Sequence, residues 1–335
     1  MEEVNKQTIF LKNSPLGARG NILCIGEALI DMICTDTNTS LSNGEHFLKK
    51  TGGAPTNVAA AVAALGGKVS LAAKVGKDPF GKQLIDVMTD FGVDTTFMLQ
   101  DETHFTTLAF VSLMDNGERD FVFSRGADGQ LSEEDITAID LENYNIIHFG
   151  SATAFLEGPL QQTYTTLLQN GIQHNCFISF DPNYRQLLFK NNLESFIKQS
   201  WHFLKHCHFF KVSDEEAMLL TDTKTVAEAA TILLEKTTAT FAITLGKEGT
   251  LLGYKGATHI IASIAIKPID TTGAGDAFTG AVLYQLKDKT LDQIKILSLQ
   301  NWQHIIAKAN KAGARTCEFM GAMEAFKFLN NRILE

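Results

Sequence analysis

The chain has 335 residues, 44% hydrophobic and 20% charged, and 29 Lys and Arg against 38 Asp and Glu leave a formal net charge of −9. That apolar content excludes disorder as the main state, and the length suits one large globular domain or one domain with a small appendage. The acidity, with Lys49-Lys50 as the longest basic run, argues against a nucleic-acid or anionic-membrane partner, either of which calls for a basic patch.

Residues 1–19 open with Glu2 and Glu3 and lack the apolar core of a signal peptide, so they read as a disordered N-terminal extension. The first strand is predicted over Ile22–Ile25, and a second apolar run covers Ala28–Cys34. Asp31 lies inside that run, an unexpected place for a charge. Thr51-Gly52-Gly53-Ala54-Pro55-Thr56-Asn57 leads into an Ala/Val-rich helix over Val58–Leu65. Val69–Val75 reads as a strand, and Asp78-Pro79 starts a helix, with Asp as N-cap and Pro at the first position. Phe105–Met114 and Arg119–Ser124 flank Asp115-Asn116-Gly117 and read as a β-hairpin. Residues 35–50 are expected to supply the other strands of this small β appendage.

From residue 145, strands at Ile146–Phe149, Cys176–Phe180, Cys207–Val212 and Phe241–Leu245 alternate with helical stretches. That is the pattern of an α/β fold with a mostly parallel sheet. Thr250–Tyr254 reads as an antiparallel excursion, and two helices are predicted near 274–286 and 292–312. No apolar stretch approaches the ~20 residues of a membrane-spanning helix. Ligands of such sheets bind beyond the carboxyl ends of the strands. Polar residues fall there: Asp31, Asp181-Pro182-Asn183, Ser213 to Glu216, Thr244-Leu245-Gly246 and Asp270 to Asp276.

The five cysteines are odd in number and scattered, which argues for buried free thiols in a reducing, cytoplasmic setting. His202, His206 and His208 surround Cys207, but a strand after His206 and no adjacent acidic ligand favour a structural or surface role. Gly76-Lys77-Asp78-Pro79-Phe80-Gly81-Lys82-Gln83 imitates a P-loop. Gln83 replaces the Mg²⁺-binding hydroxyl and Pro79 removes a donor. No G-x-G-x-x-G follows the first strand, so a dinucleotide oxidoreductase is disfavoured.

The strongest signal is Asp270-Thr271-Thr272-Gly273-Ala274-Gly275-Asp276 before a clear helix. Free amides and the helix dipole make its N-terminus an anion site. Asp276 is out of place in a phosphate cradle but suits a general base; the alternative is a plain helix cap. At the other glycine loop, Gly52 and Gly53 expose backbone, and Asn57 offers donor and acceptor to a hydroxyl.

Together these two loops resemble the signatures of the ribokinase-like (PfkB) family of carbohydrate kinases, from about Asn21 to Phe328. Asn57, Gly66 and Gly76 stand at the family spacing of the N-terminal signature, and Asp270 to Leu283 carries the C-terminal one. Gly26-Glu27-Ala28-Leu29-Ile30-Asp31, Gly52-Gly53-Ala54-Pro55, Asp181-Pro182-Asn183-Tyr184-Arg185 and Lys211-Val212-Ser213-Asp214-Glu215-Glu216 look most like the fructokinases. Ribokinases usually carry a Gly-Gly-Lys-Gly-type loop instead. The resemblance implies a three-layer α/β/α sandwich with a mostly parallel central sheet and a small β-sheet lid, all within residues 20–335.

It also implies transfer of the γ-phosphoryl group of ATP to a monosaccharide hydroxyl, with fructose the leading substrate. Asp31, Gly52, Gly53 and Asn57 would hold the sugar, and Arg125 would reach it from the lid. Asp276 would be the base, and amides of Gly273, Ala274 and Gly275 the anion hole. Arg185, Ser213, Thr244, Gly246, Gly249 and Asn310 would bind ATP. Glu216 would organise Mg²⁺ through water, and Asp270 with Thr272 would help bind a monovalent cation such as K⁺. A homodimer through the lid is expected. Ser124 replaces a frequent Tyr, and Glu318-Phe319-Met320-Gly321 a usual Thr-Arg-Arg-Gly. The alternatives are a kinase for another furanose or nucleoside, such as ribose or aminoimidazole riboside, and a non-catalytic sugar sensor.

Overall fold

In a computed structural model of the chain, residues 21–113 and 119–334 are described. The expected extension at 1–19 and the Asp115-Asn116-Gly117 turn lie outside them. The first strands and helix are β1 (Asn21–Ile25), β2 (Leu29–Cys34), β3 (Phe47–Gly52) and α1 (Ala54–Ala64). Then come β4 (Lys68–Gly76), α2 (Pro79–Asp90), β5 (Met98–Asp101), β6 (Leu108–Leu113) and β7 (Arg119–Ser124). The alternating half runs β8 (Ile146–Gly150), α3 (Pro159–Gln173), β9 (Phe177–Asp181), α4 (Gln186–Phe189), α5 (Leu193–His206) and β10 (Phe209–Ser213). It continues with α6 (Asp214–Thr221), α7 (Val226–Lys236), β11 (Thr240–Thr244), β12 (Thr250–Tyr254) and β13 (Ala257–Ile261). Last come α8 (Ala274–Leu286), α9 (Leu291–Lys295), α10 (Leu299–Thr316) and α11 (Ala322–Phe326).

The described residues form a nine-stranded sheet ordered β13-β12-β11-β10-β9-β8-β1-β4-β5. It is parallel from β5 to β11, and β12 and β13 turn back antiparallel, as expected for Thr250–Tyr254. Both faces are covered. Ile22 and Cys24 of β1 enter one core with α1, α8 and α10, while Leu23 and Ile25 enter the other with α3 and α5. That is why its strands read as near-continuous apolar runs.

A second sheet is ordered β3-β2-β6-β7. Of residues 35–50, only 47–50 are strand; β2, from the run over Ala28–Cys34, supplies the other partner of the hairpin. Thr35 to His46 is instead a polar loop closed by Asp36, whose carboxylate accepts from the Glu45 and His46 amides.

Three further boundaries differ from the sequence reading. Helix α1 starts at Ala54, four residues early, because Pro55 suits a first turn and the Glu27 carboxylate accepts from Ala54 N at 2.9 Å. Strand β10 begins at Phe209 rather than Cys207, which caps α5. The last predicted helix is two, because Ser298 and Asn301 form a reciprocal cap that starts α10 anew.

Candidate active site

Small residues let α1 and α8 approach closely. A Cβ on Gly280 would lie 2.8 Å from the Ala61 Cβ, so only glycine allows this spacing. Asn57 stands one turn before Ala61, and Asp276 one turn before Gly280. The packing therefore brings them together, and Asn57 Nδ2 donates to Asp276 Oδ2 at 2.8 Å. Burial pushes the Asp276 carboxyl up to about 6, against the pull of the Lys211 ammonium and the Asn57 hydrogen bond. A carboxylate in that range can accept a proton near neutrality.

Gly273, with φ of 81°, caps α8, and a Cβ there would strike Ala322 at 2.4 Å. The Ala274 amide donates to Thr271 O at 3.2 Å, while the Gly275 amide has no protein acceptor among the described residues. The α8 N-terminus thus offers free donors beside Asp276. They open on a cleft of about 600 Å³ at the carboxyl ends of the parallel strands. Arg185, Lys211, Ser213, Glu216, Gly275 and Asp276 are among its lining residues.

Asp31 lies on β2, and burial pushes its carboxyl up to about 6, with the Arg185 guanidinium opposing. A Cβ on Gly52, in the neighbouring strand β3, would sit 2.2 Å from Asp31 Oδ2. Gly53, with φ of 109°, would place a Cβ 2.3 Å from the Glu27 carbonyl oxygen. Gly53 is therefore sterically required, while a side chain at Gly52 would displace the Asp31 carboxylate. Arg185 Nη2 donates to Asn183 Oδ1 at 3.0 Å, which fixes the guanidinium at the cleft.

Ser213 and Glu216 form a capping box on α6. The Glu216 carboxylate accepts from Ser213 N and from Tyr184 N, both at 2.8 Å. Thr244 ends β11, with its hydroxyl on Val212 O at 3.3 Å. Gly249, with φ of 104°, closes the loop after Gly246, and a Cβ there would meet Ile261 O at 2.1 Å.

Other predicted residues are occupied elsewhere. Arg125 donates to the carbonyls of Glu157 and Thr153 and pairs with buried Asp128, away from the cleft lining. Asn310 is buried, donating to Ile261 O and accepting from the Thr250 hydroxyl. Asp270 accepts from Thr272 N at 2.9 Å and Gly321 N at 2.7 Å, which ties two loops together. In the P-loop imitation, the Asp78 carboxylate takes the Phe80 and Gly81 amides. His208 Nδ1 accepts from Ile178 N, and His206 Nδ1 bonds His202 O. All five cysteines are buried.

The sequence reading assigned no role to three site residues. Lys211 and Asp181 form a buried ion pair of 2.7 Å at the cleft floor. Glu27, pushed up to about 8 by burial, caps α1 and accepts the Thr56 hydroxyl on its carbonyl. A charge inside the apolar run Phe209–Ser213 was the available signal for Lys211, the same one that marks Asp31.

The sequence pattern of the pfkB family carbohydrate kinases matches residues 19–327. The chain belongs to the pfkB family of carbohydrate kinases. Probable fructokinase-3 of Arabidopsis thaliana is 34% identical over 315 residues, 93% of this chain and 90% of that protein. Among solved structures, a double-mutant fructokinase of Vibrio cholerae O395, in a fructose, ADP and potassium ion bound form, superposes with a TM-score of 0.81. It is 28% identical over 95% of this chain and 98% of that one. The fructokinase of Xylella fastidiosa with bound ATP gives a TM-score of 0.82 at 28% identity, over 94% and 97% of the two chains. The ribokinase-like α/β fold and carbohydrate-kinase membership thus agree with the sequence reading.

Proposed function

We propose that this carbohydrate kinase transfers the γ-phosphoryl group of ATP to a hydroxyl of fructose. The observation that carries the reading is the Asp276 carboxylate, held by Asn57 beside the free Gly275 amide. Asp31, Gly52, Gly53 and Asn57 hold the sugar hydroxyls. Asp276 takes the proton as the hydroxyl oxygen attacks. The amides at the α8 N-terminus stabilise charge on the transferring group. Arg185 and the loops at Ser213 and Thr244–Gly249 line the path of the nucleotide.

Mg²⁺, when bound with ATP, neutralises charge on its phosphates. The residues fit a metal carried by those phosphates. Both Glu216 oxygens already accept backbone N–H groups, which leaves it to act through water. For K⁺ the fit is partial, because Asp270 is spent on loop hydrogen bonds and the Lys50 ammonium also bears on it. Ile33 and Leu48, exposed and paired across β2 and β3, support a homodimer through the small sheet. The scattered, buried cysteines support a cytoplasmic enzyme.

The test is ADP release from Mg-ATP over a panel of fructose, ribose, other hexoses and nucleosides. Fructose is expected to give the highest kcat/KM. A nucleoside or ribose turning over faster would overturn the substrate assignment.

A further inference from the structure

The ion pair at the cleft floor is hard to explain as a stabilising device. Lys211 is 7% exposed and Asp181 fully buried. A buried pair repays its desolvation only with excellent geometry, and apolar residues of the same volume commonly do as well. Phe209, two residues earlier on the same face of β10, belongs to the apolar core shared with α8. That face directs Lys211 at the start of α8, where a Cβ on Gly275 would lie 3.1 Å from Nζ.

The surroundings say what the cation faces. Asp181, Glu215, Glu216 and Asp276 make this end of the cleft acidic, so a phosphoryl group can sit there only against a cationic partner. Arg185 and Lys211 are the two cationic residues among the cleft lining. The Arg185 guanidinium is engaged by Asn183 and the Tyr184 carbonyl. Among the described residues, Lys211 has Asp181 as its one ion-pair partner, so further N–H donors are left for the cleft. Gly275, whose amide has no protein acceptor among the described residues, lines the same cleft.

We propose that Lys211 is a phosphoryl-binding residue, its ammonium locked by Asp181 and gripping the transferring phosphoryl group beside Gly275. This rests on the kinase reading of the site. The sugar O–H gives its proton to the Asp276 carboxylate, and the oxygen electron pair forms the new bond to the γ-phosphorus. The bond from that phosphorus to the β–γ bridging oxygen breaks, and its electron pair leaves on ADP. Lys211 stays protonated throughout. Burial opposes its charge, and Asp181, Glu216 and Asp276 outweigh that. In return its ammonium favours ionised Asp276, which Asn57 and Arg185 also favour and Asp181 opposes.

The experiment uses Lys211→Met and Lys211→Arg in the full chain, with Mg-ATP and Mg-AMP binding measured by calorimetry alongside turnover. Lys211→Met is expected to weaken ATP binding at least tenfold and leave AMP binding within threefold. It should lower kcat at least 100-fold and move the acid limb of the pH–rate profile upward. Lys211→Arg should recover part of the ATP affinity. Unchanged ATP affinity in Lys211→Met would overturn the proposal. If that variant does not fold, Lys211→Met with Asp181→Leu removes both charges together. That double variant is expected to fold and to lose ATP affinity equally; wild-type ATP affinity in it would also overturn the proposal. The nucleotide readouts need no sugar, so they stand whichever sugar the panel selects.

Discussion

At the starts of α1 and α8 the chain removes side chains, and at the ends of β9 and β10 it buries charged ones. Gly52, Gly53 and Gly273 each sit where a Cβ would strike a neighbour within 3 Å, and Gly280 does the same where α8 crosses α1. Asp181 and Lys211 do the reverse, placing full charges where solvent hardly reaches. The two regions meet at Asp276. The glycine region sets distances, so its failures are steric and abrupt. The strand-end region sets potential, so its failures are electrostatic and depend on what is bound and on pH.

The comparison can be broken from either side. The largest effect is expected at the meeting point: Asp276→Asn should lower kcat by roughly 10²–10⁴, the usual worth of a positioned general base. Fructose binding, measured by calorimetry, should survive, because the Asn57 contact can persist. Turnover within threefold of wild type would remove the base assignment.

Next comes the steric side. Gly52→Ala must displace Asp31, and losing a hydrogen bond to a charged group should raise KM for the sugar roughly 10–100-fold. kcat should change far less, which separates sugar binding from chemistry. An unchanged KM would show that Asp31 does not hold the sugar. Smaller still is Gly280→Val, which overpacks the α1–α8 contact and should cost about 1–3 kcal/mol in denaturant unfolding. Stability within 0.5 kcal/mol of wild type would show that the close approach is not required.

Much of this was legible in the sequence because glycine loops and apolar periodicity are local. β4 extends the expected Val69–Val75 by one residue at each end, and α8 matches 274–286. The Asp78 N-cap is present, accepting from Phe80 N and Gly81 N. What was missed is long-range. The partner of Lys211 lies thirty residues away on a neighbouring strand, and no local pattern announces such a pair. The position of Arg125 after the hairpin likewise says nothing about Asp128, whose carboxylate pairs with its guanidinium. Asn310 sits at an apparently polar helix position, but its amide is used to tie α10 to β12 and β13.

The most direct test of the account is the pH dependence of kcat/KM for fructose at saturating Mg-ATP. Asp276 must be ionised to accept the proton, and burial raises its carboxyl to about 6. Activity should therefore be full above that value and fall at least tenfold per pH unit below it, more steeply where protonation of Asp31, also raised to about 6 by burial, weakens its contact with the sugar. A rate that holds steady from pH 8 down to about pH 4.5, close to the ordinary range of an exposed carboxyl, would contradict the assignment of Asp276 as a buried base.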